Sequence, residues 1–128
     1  LKIIKKMVDD LNLSVDIISH PIIRDDDGLA MSSRNKLLST IERKSAAKIY
    51  KLLKNSVKAF IEGEKNSNQL INLIKFSLKS DDTISLEYVD IVDYYTFKKT
   101  NLITTKSIII IAVRVGNVRL IDNIILEK

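Results

Sequence analysis

Ser32, Ser33 and Arg34 are the adjacent side chains best equipped for chemistry in this chain. The two hydroxyls are short donors, and the guanidinium is a planar fork of permanent charge that matches phosphate oxygens two at a time. They follow Asp25-Asp26-Asp27-Gly28-Leu29-Ala30-Met31, the one stretch where polar residues crowd together without a packing or helical reason. Taken alone, three such residues are more often a solvated loop that caps the next helix, because short motifs match by accident.

The carboxylate run invites a calcium reading, which fails on spacing. With Gly28 at the sixth position of an EF-hand loop, the first position is Ile23 and the twelfth Arg34, and neither carries a carboxylate. A turn fits better, with Asp27 bonding its own backbone and Gly28 taking a positive φ. Asp25 or Asp26 is then free to pair with Arg24 or to brace Arg34. The chain has no cysteine and a single histidine, His20, so no zinc constellation is offered, and His20 reads as a strand-end residue.

The longer string Arg24-x-x-Asp27-Gly28-Leu29-Ala30-Met31-Ser32-Ser33-Arg34-Asn35 resembles the signature of the pantothenate synthetase (pantoate–β-alanine ligase) family. That family belongs to the adenylate-forming nucleotidyltransferases, in which this loop is the counterpart of the lysine–serine loop of class I aminoacyl-tRNA synthetases. The resemblance continues through Leu38-Ser39, Glu42-Arg43, Ala46-Ala47 and Tyr88-Val89-Asp90-Ile91-Val92-Asp93 to Gly116-Asn117-Val118-Arg119-Leu120-Ile121-Asp122-Asn123.

The resemblance implies an ATP- and Mg2+-dependent ligase that activates (R)-pantoate as pantoyl adenylate and then joins it to β-alanine, releasing pyrophosphate and AMP. Ser32, Ser33 and Arg34 would hold the β- and γ-phosphates, Met31 would line the nucleotide site, and Ile23 would meet adenine through its backbone where the family usually has valine. The family more often has Glu-Ala-Asp in place of Asp25-Asp26-Asp27, which leaves Asp25 without an implied role. The family's histidine-containing phosphate motif and a further lysine-containing motif are not in this sequence. The 128 residues alone are therefore expected not to catalyse the ligation. A cytoplasmic location and a homodimer of the longer enzyme are also implied.

The elements around the loop follow from periodicity. Leu1, Ile4, Val8 and Leu11 have helical spacing, Asn12 is a stop, and Leu13 to Ser19 alternates as a half-buried strand does. Pro21 holds His20 extended. Ser39 and Glu42 form a capping box for a helix from about Thr40 to about Glu62, with Ala46, Ile49, Leu53, Val57 and Phe60 as its stripe and Gly63 as its end. Ser67 or Asn68 is expected to cap a second helix carrying Leu70, Ile71, Ile74 and Leu78. Three strands follow: Thr83 to Asp93, with a phase slip after Tyr88 that marks a bulge, then Lys106 to Val115, and Val118 to Leu126 beyond a Gly116-Asn117 turn. Arg119, Asp122 and Asn123 read as strand-capping or internal salt-bridge residues.

The expected fold is α+β. Residues 1–23 would be the end of a Rossmann-like domain, 24–35 a phosphate-binding hinge loop, and 36–128 a lid of helices packed on a three-stranded antiparallel sheet. With 45% hydrophobic and 29% charged residues the chain can build a core, and no apolar run reaches the roughly 20 residues of a membrane helix. The net charge of +5 raises an alternative, a basic α+β nucleic-acid-binding module. The lysines are spread along helix faces, however, and only 5% of residues are aromatic, so solvation of those faces accounts for the charge without a nucleic-acid partner.

Overall fold

The computed structural model describes residues 1–127; Lys128, the last residue of the expected lid, lies outside them. In order the elements are α1 (Lys2–Asp10), a short 3-10 helix (Ser33–Leu37), α2 (Thr40–Ile61), α3 (Ser67–Leu78), β1 (Ile84–Asp93), β2 (Ser107–Val115) and β3 (Val118–Leu126). The strands form one antiparallel sheet in the order β1-β2-β3, and α2 and α3 cover one of its faces.

Local chemistry explains where the elements begin. At the start of α2 the Ser39 hydroxyl accepts from the Glu42 backbone N–H while the Glu42 carboxylate accepts from the Ser39 N–H at 2.7 Å, the reciprocal capping box expected. The Ser39 N–H, and after it the Ser39 side chain, hold the pKa of the Glu42 carboxyl below its usual value. The cap of α3 is Asn66, not Ser67 or Asn68. Its Oδ1 accepts from the N–H groups of Asn68 (2.9 Å) and Gln69 (3.3 Å), while Ser67 has become the first helical residue and is buried. One amide oxygen reaching two free N–H groups outcompetes a hydroxyl that has been drawn inside.

In β1 the register shifts between Leu86 and Tyr88, so Glu87 is the extra residue of a bulge. The slip returns Val89 and Ile91 to the face already occupied by Ile84. β2 is the central strand and all but Ile110 and Arg114 are buried. Val115 pairs with Val118 across a two-residue turn in which Gly116 has φ +55°. A Cβ there would also meet the Glu42 carboxylate, so the turn and the cap of α2 share one tight spot. Leu53, Leu70 and Ile109 at the centre of the core are fully buried, each worth about 1.5–3 kcal/mol of transfer free energy.

The N-terminal segment departs from expectation. α1 ends as foreseen, with Asn12 at φ +48°, but Leu13 to Ser19 is not a strand. It joins no sheet: Ser14 is a bend, the Leu13 N–H donates back to Val8 and the Val15 N–H to Leu13, and Ile18 is 90% exposed. Alternation supplies only half of what a strand needs; the other half is a neighbouring backbone to bond, and none lies alongside among the described residues. His20 is accordingly no strand-end residue but an exposed one, its Nδ1 3.1 Å from the Pro21 carbonyl. No helix among the described residues is long and apolar enough to cross a membrane.

Candidate functional site

Residues 23–35 fold into a tight, many-stitched loop. The Met31 N–H donates to the Ile23 carbonyl, Asp25 N–H to Leu29 and Gly28 N–H to Asp25, at 2.8–2.9 Å. Asp27 Oδ1 accepts from the Leu29 N–H, the self-turn expected of it. Gly28 takes φ +87°, and a Cβ there would stand 3.0 Å from Cδ1 of Tyr50. Positive φ and the ring both favour glycine. Leu29 turns into the core.

Ion pairs then fasten this loop to the sheet and to α2. Arg24 donates to both carboxylate oxygens of Asp122 on β3, at 2.8 and 2.9 Å, and to the Gly28 carbonyl at 3.1 Å. Its guanidinium lies 3.6 Å above the centre of the Tyr50 ring. The two side chains of the ion pair are only 14% and 8% exposed. Burial opposes the Arg24 charge, but the hydrogen bonds and field of Asp122 outweigh it and raise the pKa above its ordinary value. On the other side Arg43 of α2 bridges Asp25 (2.8 Å) and Asp27 (3.0 Å), and its charge is likewise favoured, first by the bond to Asp25. Asp25 therefore braces Arg43, and neither it nor Asp26 pairs with Arg24 or Arg34 as the sequence had allowed. The carboxylates point at positions the linear order does not reveal.

Below the loop is an open cavity of ≈ 310 Å³ at the edge of β3, lined by Ile22, Leu29, Met31, Ser32, Arg34 and Arg119 among others. It brings together three of the five expected site residues. Met31 and Ser32 also face a second, shallower depression, where Ser33 lies with Lys36 and Arg43. Ile23 is exposed and lines neither. The Ser32 Oγ accepts from the Arg34 N–H at 3.2 Å and keeps its own proton to donate. Among the described residues the Arg34 guanidinium and the Ser33 hydroxyl have no hydrogen-bond or ionic partner. A half-buried arginine with three hydrogen bonds and an exposed arginine with none thus sit at the two ends of one loop. The free one is available to an external anion.

Arg119 and Asp122 make the internal salt bridges expected of them. Arg119 Nε is 2.7 Å from Glu87, the bulged residue of β1, which also holds Arg114 at 3.0 Å. Asn123 is exposed at the cavity rim. Tyr50 and Arg43 were not singled out by the sequence as parts of the loop's frame. The only available signal, an aromatic and a cation on the helix that follows the loop, is too common to be specific. No group of three or more His, Cys, Asp or Glu side chains is arranged to hold a metal among the described residues, and the loop carboxylates Asp25 and Asp27 are committed to Arg43.

Two helices on an antiparallel three-stranded sheet, with a serine–serine–arginine loop stitched along its edge, define a small α+β module. Residues 1–125 match the family model described as pantoate-beta-alanine ligase, and the chain belongs to that family. It is 46% identical over 123 residues to the pantothenate synthetase of Clostridium botulinum (strain 657 / Type Ba4), covering 96% of this chain and 44% of that one. It is 45% identical to that of Caldicellulosiruptor saccharolyticus, covering 99% of this chain and 45% of that one. Among solved structures, pantothenate synthetase from Thermus thermophilus superposes with a TM-score of 0.89 at 29% identity, over 96% of this chain and 44% of that one. Pantoate-beta-alanine ligase from Francisella tularensis, complexed with beta-gamma ATP and beta-alanine, superposes with a TM-score of 0.59 at 30% identity, over 98% and 39%. The chain spans less than half the length of these relatives.

Proposed function

We propose that this chain forms the phosphate loop and lid of an ATP-dependent ligase joining (R)-pantoate to β-alanine. The observation that carries the reading is the unpaired Arg34 guanidinium, held beside Ser32 at the mouth of the cavity by a loop whose first turn is fastened to both β3 and α2. Family membership and a relative whose structure holds beta-gamma ATP and beta-alanine support the substrate class.

In the first step a pantoate carboxylate oxygen attacks the α-phosphorus, and the bond to the β-phosphate oxygen breaks. Negative charge then accumulates on the departing pyrophosphate. Arg34 neutralises that charge, and the Ser32 and Ser33 hydroxyls donate to its oxygens. Met31 covers the nucleotide, and the Ile23 backbone meets the base. In the second step the β-alanine amine displaces AMP. Magnesium would accompany ATP as its counter-ion, neutralising phosphate charge beside Arg34.

The functional division is 1–23, the end of a nucleotide-binding domain; 24–35, the phosphate loop; and 36–128, the lid. The chain by itself does not ligate, the working enzyme is a cytoplasmic homodimer, and nucleic acid is not a partner. Pantothenate formation in the intact protein, with AMP and pyrophosphate as co-products, tests the reading. Arg34→Ala should lower kcat/KM for ATP by about 10²–10³, the cost of removing one charge-stabilising donor. ADP and phosphate as products, or an unchanged rate in the variant, would exclude it.

A further inference from the structure

Arg24 lies ten residues before Arg34 and outside the cavity; the 3-10 helix also packs on β3, but among the described residues the side-chain hydrogen bonds from the loop to the sheet are those of Arg24. Its backbone bridges that of Ala30, its Nη1 holds the Gly28 carbonyl, and its two terminal nitrogens hold Asp122 of β3. The Ala30 carbonyl in turn accepts from the Asn35 side-chain amide at 3.0 Å, next to Arg34. A continuous set of contacts therefore runs from β3 through Arg24 and Ala30 to the residue beside the free arginine.

Resting on the phosphate-loop reading above, we propose that Arg24 is a positioning residue. Clamped by Asp122 and stacked on Tyr50, it makes the loop part of the lid, so that Ser32, Ser33 and Arg34 travel with the sheet as one body. The joint about which that body turns is then upstream of the loop and not within it. Among the described residues, 16–22 make no backbone-to-backbone hydrogen bond, whereas Ile23 is already paired with Met31. The loop is cargo of the lid, not its hinge.

The chemistry requires arginine. Three N–H groups point to two acceptors on different elements while the flat face rests on an aromatic ring; a lysine ammonium has donors but neither the planar fork that meets a carboxylate twice nor a flat face to lie on the ring. Gly28 completes the clamp, because the loop passes so close to Tyr50 that a side chain there would push it off the ring. Movement of the loop relative to β3 would displace Arg34 from the triphosphate, and an error of about 1 Å in such a contact costs on the order of 10²-fold in rate.

The test uses the intact protein with Arg24→Lys and Asp122→Asn. Arg34→Ala serves as the loop reference, and Ile74→Val in α3, far from the loop, as a stability control. Each is assayed for KM(ATP), kcat and inorganic tripolyphosphate affinity at a temperature where circular dichroism shows it folded. Arg24→Lys and Asp122→Asn should each weaken tripolyphosphate by about tenfold and lower kcat by about 10- to 100-fold. Ile74→Val should leave both unchanged even where its melting temperature falls as far. If the Arg24 and Asp122 variants track Ile74→Val, their role is structural and the proposal is overturned. If Arg34→Ala weakens tripolyphosphate and they do not, positioning fails while the phosphate-loop reading survives. If Arg34→Ala binds as well as the parent, that reading fails and the proposal falls with it.

Discussion

Residues 1–22 and residues 24–35 are neighbours in the chain and opposites in how they are held. The first segment is rich in isoleucine and leucine, has the stronger helical and strand-like patterns, and buries one side chain, Val8. The second is crowded with charge and contains no regular element longer than its 3-10 turn, yet its side chains are bonded to distant elements through Asp122 on one side and Arg43 on the other. Apolar pattern alone holds nothing in place: without a surface opposite, Ile3, Met7 and Ile18 remain in solvent. A bidentate ion pair sheltered from water, by contrast, specifies both partners and their orientation. On the proposed reading, a loop that grips phosphate needs orientation more than it needs bulk.

The contrast can be broken most forcefully at Asp122. Asp122→Ala leaves Arg24 charged and sheltered with no counter-ion, and should cost about 3–5 kcal/mol in urea unfolding; a loss below about 1 kcal/mol, the range of an exposed pair, would mean the pair is ornamental. Next in size is Leu53→Ala in the core of α2, at about 2–5 kcal/mol. Gly28→Ala should cost about 1–2 kcal/mol for a non-glycine residue at positive φ and, because Tyr50 blocks relaxation, should weaken tripolyphosphate as well. Normal affinity in that variant would show that the loop tolerates displacement.

Acid sharpens the contrast through Asp93. The N–H of Thr96, then the hydroxyls of Thr105 and Thr96, hold its carboxyl at about 2 against an ordinary 3.8. A depressed folded-state value means stability that is full above about pH 4 and is lost as pH falls from there toward about 2. The denaturation midpoint should decline across that window, and Asp93→Asn should make the decline shallower; an unchanged slope would remove Asp93 as its source. The smallest effect is expected at Ile18→Ala, within about 0.5 kcal/mol, because the side chain is 90% exposed. A loss comparable to Leu53→Ala would show that the N-terminal segment is packed after all.

Most of the sheet-and-helix unit was legible residue by residue because its signals are local. Ser39 and Glu42 are three apart and cap each other; Gly63 and Gly116 stand where positive φ is needed; the phase slip in β1 announced a bulge, which falls at Glu87, before Tyr88 and not after it. The cap of α3 falls at Asn66, before the expected Ser67 or Asn68; all three are good cap residues, and where the helix starts is decided by the packing that buries Ser67. The strand expected at Leu13 to Ser19 failed for a different reason: its pattern was right and its partner absent from the described residues.

The sequence by itself determined the α+β order of elements, the turn at Asp27-Gly28 and the serine–serine–arginine triplet, because each depends on residues within a few positions of one another. Only the tertiary structure decided which arginine is a strut and which is free. Arg24 and Arg34 are chemically identical and close in the chain, but Asp122 lies 98 residues away from Arg24. An ion pair over that separation is created by the register of β3 and the placement of Tyr50 on α2, and it has no signature until the sheet has formed.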